Sequence, residues 1–249
     1  MKQHFGYKAG AVALALAAWQ IISMIVGMDM LLASPIQVII RLGTIWRETG
    51  FLSTVLFSML RILGGFLIAF LAGTVLAVIS GRFRIAETLL WPYVITIKSV
   101  PVASFIILCL IWLSFGQLTI FISFLIAFPV IYSNVLQGMK NTDKKLLEMA
   151  DLFQAGWPRK LFYIYLPGIM PYLISASSVA VGMAWKAGVA AEVIGVVNGS
   201  IGEKLYESKI YFQNADLLSW TIIIILLSQV LEKLFVLLLK KVYEGMVRP

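Results

Sequence analysis

The chain carries few of the residues that enzymes use for chemistry. Among its 249 residues there is one cysteine, Cys109, and one histidine, His4. A single cysteine excludes an intramolecular disulfide and leaves the redox compartment open. One histidine excludes a His-based catalytic centre or a multi-His metal site built from this chain alone. No glycine is followed directly by lysine, so the phosphate loop G-x-x-x-x-G-K-[ST] is missing and nucleotide chemistry would reside on another polypeptide. Neither G-x-S-x-G nor H-E-x-x-H occurs, which argues against a membrane-embedded protease or lipid hydrolase. We therefore expect no catalytic residue, no metal ligand and no cofactor on this chain.

Charge is scarce too. Asp, Glu, Lys and Arg make up 13% of the chain and hydrophobic residues 61%, and the mean hydropathy is +0.95. A soluble domain averages about 25% charged residues. The imbalance excludes an ordinary cytosolic enzyme and a disordered acidic protein. The net charge of +8 would suggest nucleic acid in a soluble protein. Here the basic residues fall in short clusters between long apolar runs, so they read as membrane topology, with no nucleic-acid partner.

What is present in quantity is apolar sequence. A spanning helix needs roughly 20 mostly apolar residues. Six runs approach or exceed that length: Ala9–Val26, Phe51–Ser80, Ile85–Ser114, Leu118–Leu136, Gly168–Ile194 and Leu217–Leu239. The first is long for a signal peptide, and no small-x-small cleavage site precedes Asp29. The third is broken by Pro92 and Pro101, and Phe115-Gly116-Gln117 reads as the turn after it. Asn198 to Asp216 reads as a polar connection. With the N-terminus inside, twelve basic residues are cytoplasmic (Lys2, Lys8, Arg82, Arg84, Lys140, Lys144, Lys145, Arg159, Lys160, Lys240, Lys241 and Arg248). Four are external (Arg41, Arg47, Lys204 and Lys209), which favours both termini inside. The expectation is an all-α polytopic membrane protein with six transmembrane helices, N-in and C-in. It forms a single domain over 1–249 with its core at about 51–242. Between the first two spans Ser34-Pro35 reads as N-cap and first helical residue. Ile36, Ile39, Ile40 and Trp46 then mark one face of an outer amphipathic helix at about 35–48.

The connection at 141–167 is too patterned for a loop. Asn141, Thr142 and Asp143 offer N-caps. Leu146, Leu147, Ala150 and Phe153 share a helical face, with Lys144, Lys145, Glu148 and Asp151 largely off it. Gln154-Ala155-Gly156 reads as a turn, Trp157-Pro158 restarts a helix, and Leu166-Pro167 ends the segment. Two short amphipathic helices joined tightly make a knob. Periodicity does not separate a knob lying on lipid from one docked on a protein.

Glu148-Met149-Ala150, followed by Ile164 and Leu166-Pro167, resembles the "EAA … G … I-x-LP" motif of ABC importer permeases. Two departures are present: Met149 stands for the middle alanine, and Gln154 stands at the glycine position, with Gly156 two residues later. Either Gln154 adopts a left-handed conformation, or Gly156 makes the turn. Ser58-x-x-Arg61-x-x-x-Gly65-Phe66, Lys98-Ser99-Val100-Pro101 and Ala184-Trp185 through Glu192-Val193-Ile194-Gly195 are similar to the nitrate/sulfonate/taurine-type subgroup. The resemblance implies a type I ABC importer permease-like fold and a coupling helix docking an ATPase. Leu147, Glu148, Met149, Ala150, Asp151, Gln154, Ala155, Gly156 and Trp157 would form that contact. It further implies an inner-membrane homodimer, two cytoplasmic ATPase subunits that hold ATP and Mg, and an extracytoplasmic solute-binding protein. The solute would be a small organic or inorganic anion or a vitamin precursor.

Charges inside spans need a reason, because each costs roughly 2.5–3.5 kcal/mol at the bilayer centre. Lys98, Ser99, Pro101, Lys186 and Glu192 are candidate pathway or gate residues. Arg61 and Glu232 are candidate structural charges, Arg61 as a brace. Ala176, Ala180, Ala184 and Gly188 form an i+4 stripe leading to Glu192. Glu192 is then either hydrogen-bonded in a packing seam or part of a gate between two copies. Lys186 faces either a polar pathway or a buried carboxylate such as Glu232. Two other classes remain at this point: a membrane anchor whose knob docks a partner that is not an ATPase, and a membrane-embedded enzyme, for which few polar candidates exist.

Overall fold

Long apolar runs with few backbone breakers fold into helices, because in a membrane every main-chain N–H and C=O must be satisfied within the segment. A computed structural model describes residues 2–28 and 30–247 and contains helices only among them. Asp29 and Arg248, both used in the sequence reading, lie outside the described residues, as do the side chains of Lys2, His4 and Lys8. Helix α1 runs Lys2–Val26 and α2 Pro35–Ile45; α3 spans Phe51–Arg82, α4 Arg84–Ser99, α5 Val102–Cys109 and α6 Phe115–Lys140. The knob contains α7, Lys144–Leu152, and α8, Trp157–Lys160; α9 is Leu166–Gly195, α10 Ile201–Ile210 and α11 Asn214–Val247.

Four helical stretches are long and apolar enough to cross a bilayer: Phe51–Arg82, Phe115–Lys140, Trp157–Gly195 and Asn214–Met246. A further crossing arises if α4 and α5, bent by 102° at their break, are one broken span. The apolar part of α1, Gly10–Val26, is shorter. The centre is a three-helix packing of α3, α6 and α9, with buried Phe66, Ala69, Ile131, Val135, Ile169 and Ala184 in one continuous cluster. Close approach is what the glycines provide. A Cβ on Gly188 would lie 2.5 Å from Ser123 Oγ and 2.6 Å from Ile62 Cγ1. The small-residue stripe Ala176, Ala180, Ala184, Gly188 is buried along its length, so it is a packing seam between α9 and its two neighbours.

The structure corrects several boundaries. Pro92 does not break a helix: α4 continues through it to Ser99, and the break falls at Val100-Pro101. Thr88 Oγ1 and Thr96 Oγ1, one turn before and after Pro92, bond back to the Arg84 and Pro92 carbonyls. Phe115-Gly116-Gln117 is the first turn of α6, entered from Ser114 in an extended conformation. Pro167 does not end the knob. A wider π-type turn at Leu161–Tyr165 carries α8 into α9 without a stop, and such a turn accommodates the missing proline N–H. The connection from Asn198 contains α10, whose Ser200 Oγ accepts from the Glu203 N–H at 3.0 Å.

Helix α2 follows its sequence signals. Ser34 caps it, and Gln37 closes a reciprocal capping box. Its apolar residues divide between two faces. Val38 and Ile45 are buried toward the protein, whereas Ile36, Ile39, Ile40 and Trp46 point away from it. That division suits a helix lying at a membrane interface. Arg41 fastens it by pairing with Asp216 at the start of α11 and with Glu48 at 2.5 Å.

Candidate functional site

The knob is built from a cap, a turn and a brace. Asp143 is the N-cap of α7; its Oδ1 accepts from the Lys145 N–H at 2.9 Å. Ala150 is buried against the rest of the chain and Leu147 is half-buried. The remaining apolar side chains of α7 and its exit are open: Leu146, Met149, Leu152 and Phe153, the last two about four-fifths exposed (84% and 79%). Glu148 and Asp151 share that exposed surface. The turn is made at Gln154, which adopts φ +52°, while Gly156 sits at φ −63° as the N-cap of α8. The left-handed residue is thus the glutamine, and the glycine is not needed for handedness.

One ion pair braces the knob internally, and two contacts of Trp157 fix it to what lies above. The Lys160 ammonium pairs with Asp151, joining α8 to α7. Trp157 packs on Tyr165 with ring centroids 5.3 Å apart, and the Arg82 guanidinium lies 4.5 Å from the Trp157 ring centroid. A cation over an indole is worth about 0.5–1 kcal/mol at an exposed site and more when desolvated. Arg82 ends α3, so the contact ties the knob to a second long helix. Spacing rules do not reach a partner 75 residues away, and the sequence reading missed it.

The intramembrane charges fall into different settings. Glu192 is fully buried near the end of α9. Its Oε2 accepts from Ser58 Oγ at 2.8 Å and from the Gly202 N–H at 3.3 Å, and the same Ser58 Oγ accepts from the Ile201 N–H at 2.9 Å. One carboxylate and one hydroxyl thereby tie α3, α9 and the first turn of α10 together. Buried atoms without a protein hydrogen-bond partner in this region are Glu192 Oε1, Thr119 Oγ1, Arg61 Nη1 and Trp185 Nε1. Arg61 lies over the Phe57 ring, 3.4 Å from its centroid, and its Nη2 would be 3.2 Å from a Cβ on Gly116. From α3 it reaches the first turn of α6. The motif Ser58-x-x-Arg61 pointed to this cluster; Thr119 and Gly202 had no signal of their own.

Lys186 is exposed and does not pair with Glu232. Glu232 instead accepts a hydrogen bond from Ser178 Oγ. Lys98 is exposed at the α4–α5 break, and its Nζ donates to Ser133 Oγ at 2.7 Å. Ser99 turns its hydroxyl back to the Ile95 carbonyl at 2.9 Å, and Pro101 begins the next helix. Glu192 and Lys98 therefore belong to separate clusters. Among the described residues no group of three or more His, Cys, Asp or Glu side chains could hold a metal ion.

Comparison with known proteins agrees with the helical layout. The chain is 23% identical over 254 aligned positions to a putative aliphatic sulfonates transport permease of Bacillus subtilis (strain 168), covering 98% of this chain and 92% of that protein. It is 26% identical to a taurine transport system permease of Escherichia coli (strain K12), over 76% of this chain and 72% of that protein. It is 27% identical to a nitrate import permease of Synechococcus elongatus, over 78% and 72%. Residues 69–246, which contain the broken α4–α5 pair, the knob and the seam on α9, match the model of one family over more than half of the chain. The protein belongs to the binding-protein-dependent transport system inner membrane component family, and is a multi-pass membrane protein.

Proposed function

We propose that this chain is the translocation subunit of an ABC importer. It crosses the inner membrane six times with both termini in the cytoplasm, α1 and the α4–α5 pair supplying the two crossings beyond the four long helices. The observation that carries the proposal is the knob: a braced pair of short helices with an exposed apolar and acidic surface, inside the family match. In this reading Glu148, Met149 and Asp151 meet an ATPase subunit. Leu147, Ala150 and Trp157 hold the surface rigid, and Gln154-Ala155-Gly156 sets its angle. The assembly contains a second copy of the chain, two ATPase subunits that hold ATP and Mg, and an external solute-binding protein. Relatives named for sulfonates, taurine and nitrate support a small organic or inorganic anion, or a vitamin precursor, as solute. Lys98, Ser99, Pro101, Lys186 and Glu192 serve the pathway and its gate, and Arg61 and Glu232 hold helices in place.

ATP binding on the partner then biases a two-state equilibrium of the permease through a distant contact. Glu148→Trp changes the exposed surface without entering the core. The expected result in proteoliposomes is normal membrane insertion with solute-stimulated ATP hydrolysis lowered about tenfold or more, the scale of losing a central contact. Unchanged stimulation and uptake in this variant would overturn the proposal.

A further inference from the structure

Two adjoining cavities between α4 and α6 share Glu87, Trp91 and Lys140, and so form one groove. The larger, about 570 Å³, opens at the knob end beside Arg82 and Arg84; the smaller, about 220 Å³, reaches Lys98 and Ser133. The charged side chains along it are four cations, Arg82, Arg84, Lys98 and Lys140, and one carboxylate, Glu87. That carboxylate is taken by Lys140 at 2.6 Å, where the two cavities meet. From Arg84 to Lys98 the helix rises about 21 Å, at 1.5 Å per residue, so in the six-crossing reading Lys98 lies deep in the bilayer.

Lys98 is not satisfied there by its own chain. Its Nζ donates to Ser133 Oγ, and the Ser133 hydroxyl donates onward to the Pro129 carbonyl at 2.6 Å. The other two ammonium N–H groups meet no acceptor and no counter-charge among the described residues. The carbonyl end of α4 favours a cation at this point, but it does not account for a row of four along one groove. Ionisable groups at such depth face a water-filled route or a partner charge. A broken helix at membrane depth is tolerated where it lines such a cavity.

We propose that this groove is the inner leg of an anion path. A small oxyanion passes Lys98 and Ser133, and the Glu87–Lys140 pair is the latch at the waist where the two cavities meet, opened when the anion replaces Glu87 on Lys140. The proposal rests on the reading of the chain as a translocation subunit, and it narrows the solute to an anion.

The test labels Ser133→Cys in membrane vesicles containing the complete transporter. The reagents are an anionic (2-sulfonatoethyl) and a cationic (2-trimethylammonioethyl) methanethiosulfonate. The parent chain, whose only thiol is the buried Cys109, sets the background. The anionic-to-cationic rate ratio, divided by that of free cysteine, is expected to be about tenfold, the lower end of field focusing in a charged cleft. Adding Lys98→Gln returns it toward one, Lys98→Arg keeps it, and Glu87→Gln raises the anionic rate further. A ratio that favours the cationic reagent, or that ignores Lys98→Gln, overturns the proposal. So does an absence of labelling, which means that lipid or protein fills the groove. A ratio that rises only in vesicles lacking anionic lipid assigns the cations to phospholipid phosphate, and equally overturns it. None of these readouts involves ATP hydrolysis, so their failure leaves the Glu148 result standing, and the reverse holds too.

Discussion

At φ +52° Gln154 occupies the left-handed region, where a Cβ crowds the following carbonyl oxygen at a cost of about 1–2 kcal/mol. Gln154→Gly removes that crowding but adds freedom to the unfolded chain, so the net gain is smaller. We expect the knob to be stabilised by about 0.5–1 kcal/mol. Limited proteolysis of the α7–α8 connection should slow accordingly, and Gln154→Val, β-branched at the same φ, should speed it. Sequence alone left the glutamine and Gly156 as alternatives, because a positive φ belongs to the backbone and either residue can carry it. The caps were more legible. Ser34 and Asp143 do what Ser and Asp before an apolar helical run are expected to do.

Elements differ in how openly their sequences declare them. The knob could be read from its period, but what holds it could not, since Arg82 reaches Trp157 from another helix. Arg82→Ala should loosen the segment from Trp157 to Tyr165 by about 0.5–1 kcal/mol. The measurement is amide exchange, which should quicken several-fold there and stay constant within α3. Arg82→Lys should restore part of the protection, because the charge remains and the planar stacking is lost. Helix α10 was hidden inside a polar connection, although Ser200-x-x-Glu203 is a helix-start pattern that could have revealed it. Pro92 misled in the other direction. A proline inside an apolar run usually signals a break, yet α4 runs through it from Arg84 to Ser99 and forgoes a single ladder bond.

For the whole molecule, the close packing of α3, α6 and α9 is the feature on which the other elements depend. Gly188→Leu puts a branched side chain where even a Cβ meets Ser123 and Ile62 inside 3 Å. We expect it to abolish accumulation of folded protein, with overpacking of about 1–3 kcal/mol or more, read as loss of the monodisperse peak in detergent gel filtration. Gly182→Ala, on the same helix with open space around it, should accumulate normally. The continuity of Trp157–Gly195 has a mechanical consequence. Thirty-nine residues in one helical piece make a rod about 58 Å long at 1.5 Å per residue, with the π-type turn at Leu161–Tyr165 near its foot. In the proposed coupling, a nudge delivered beside Trp157 travels along this rod. In that reading it re-aims the opposite tip, where Glu192 is roped to Ser58 and to the start of α10, so levering one end loosens or tightens that knot at the other.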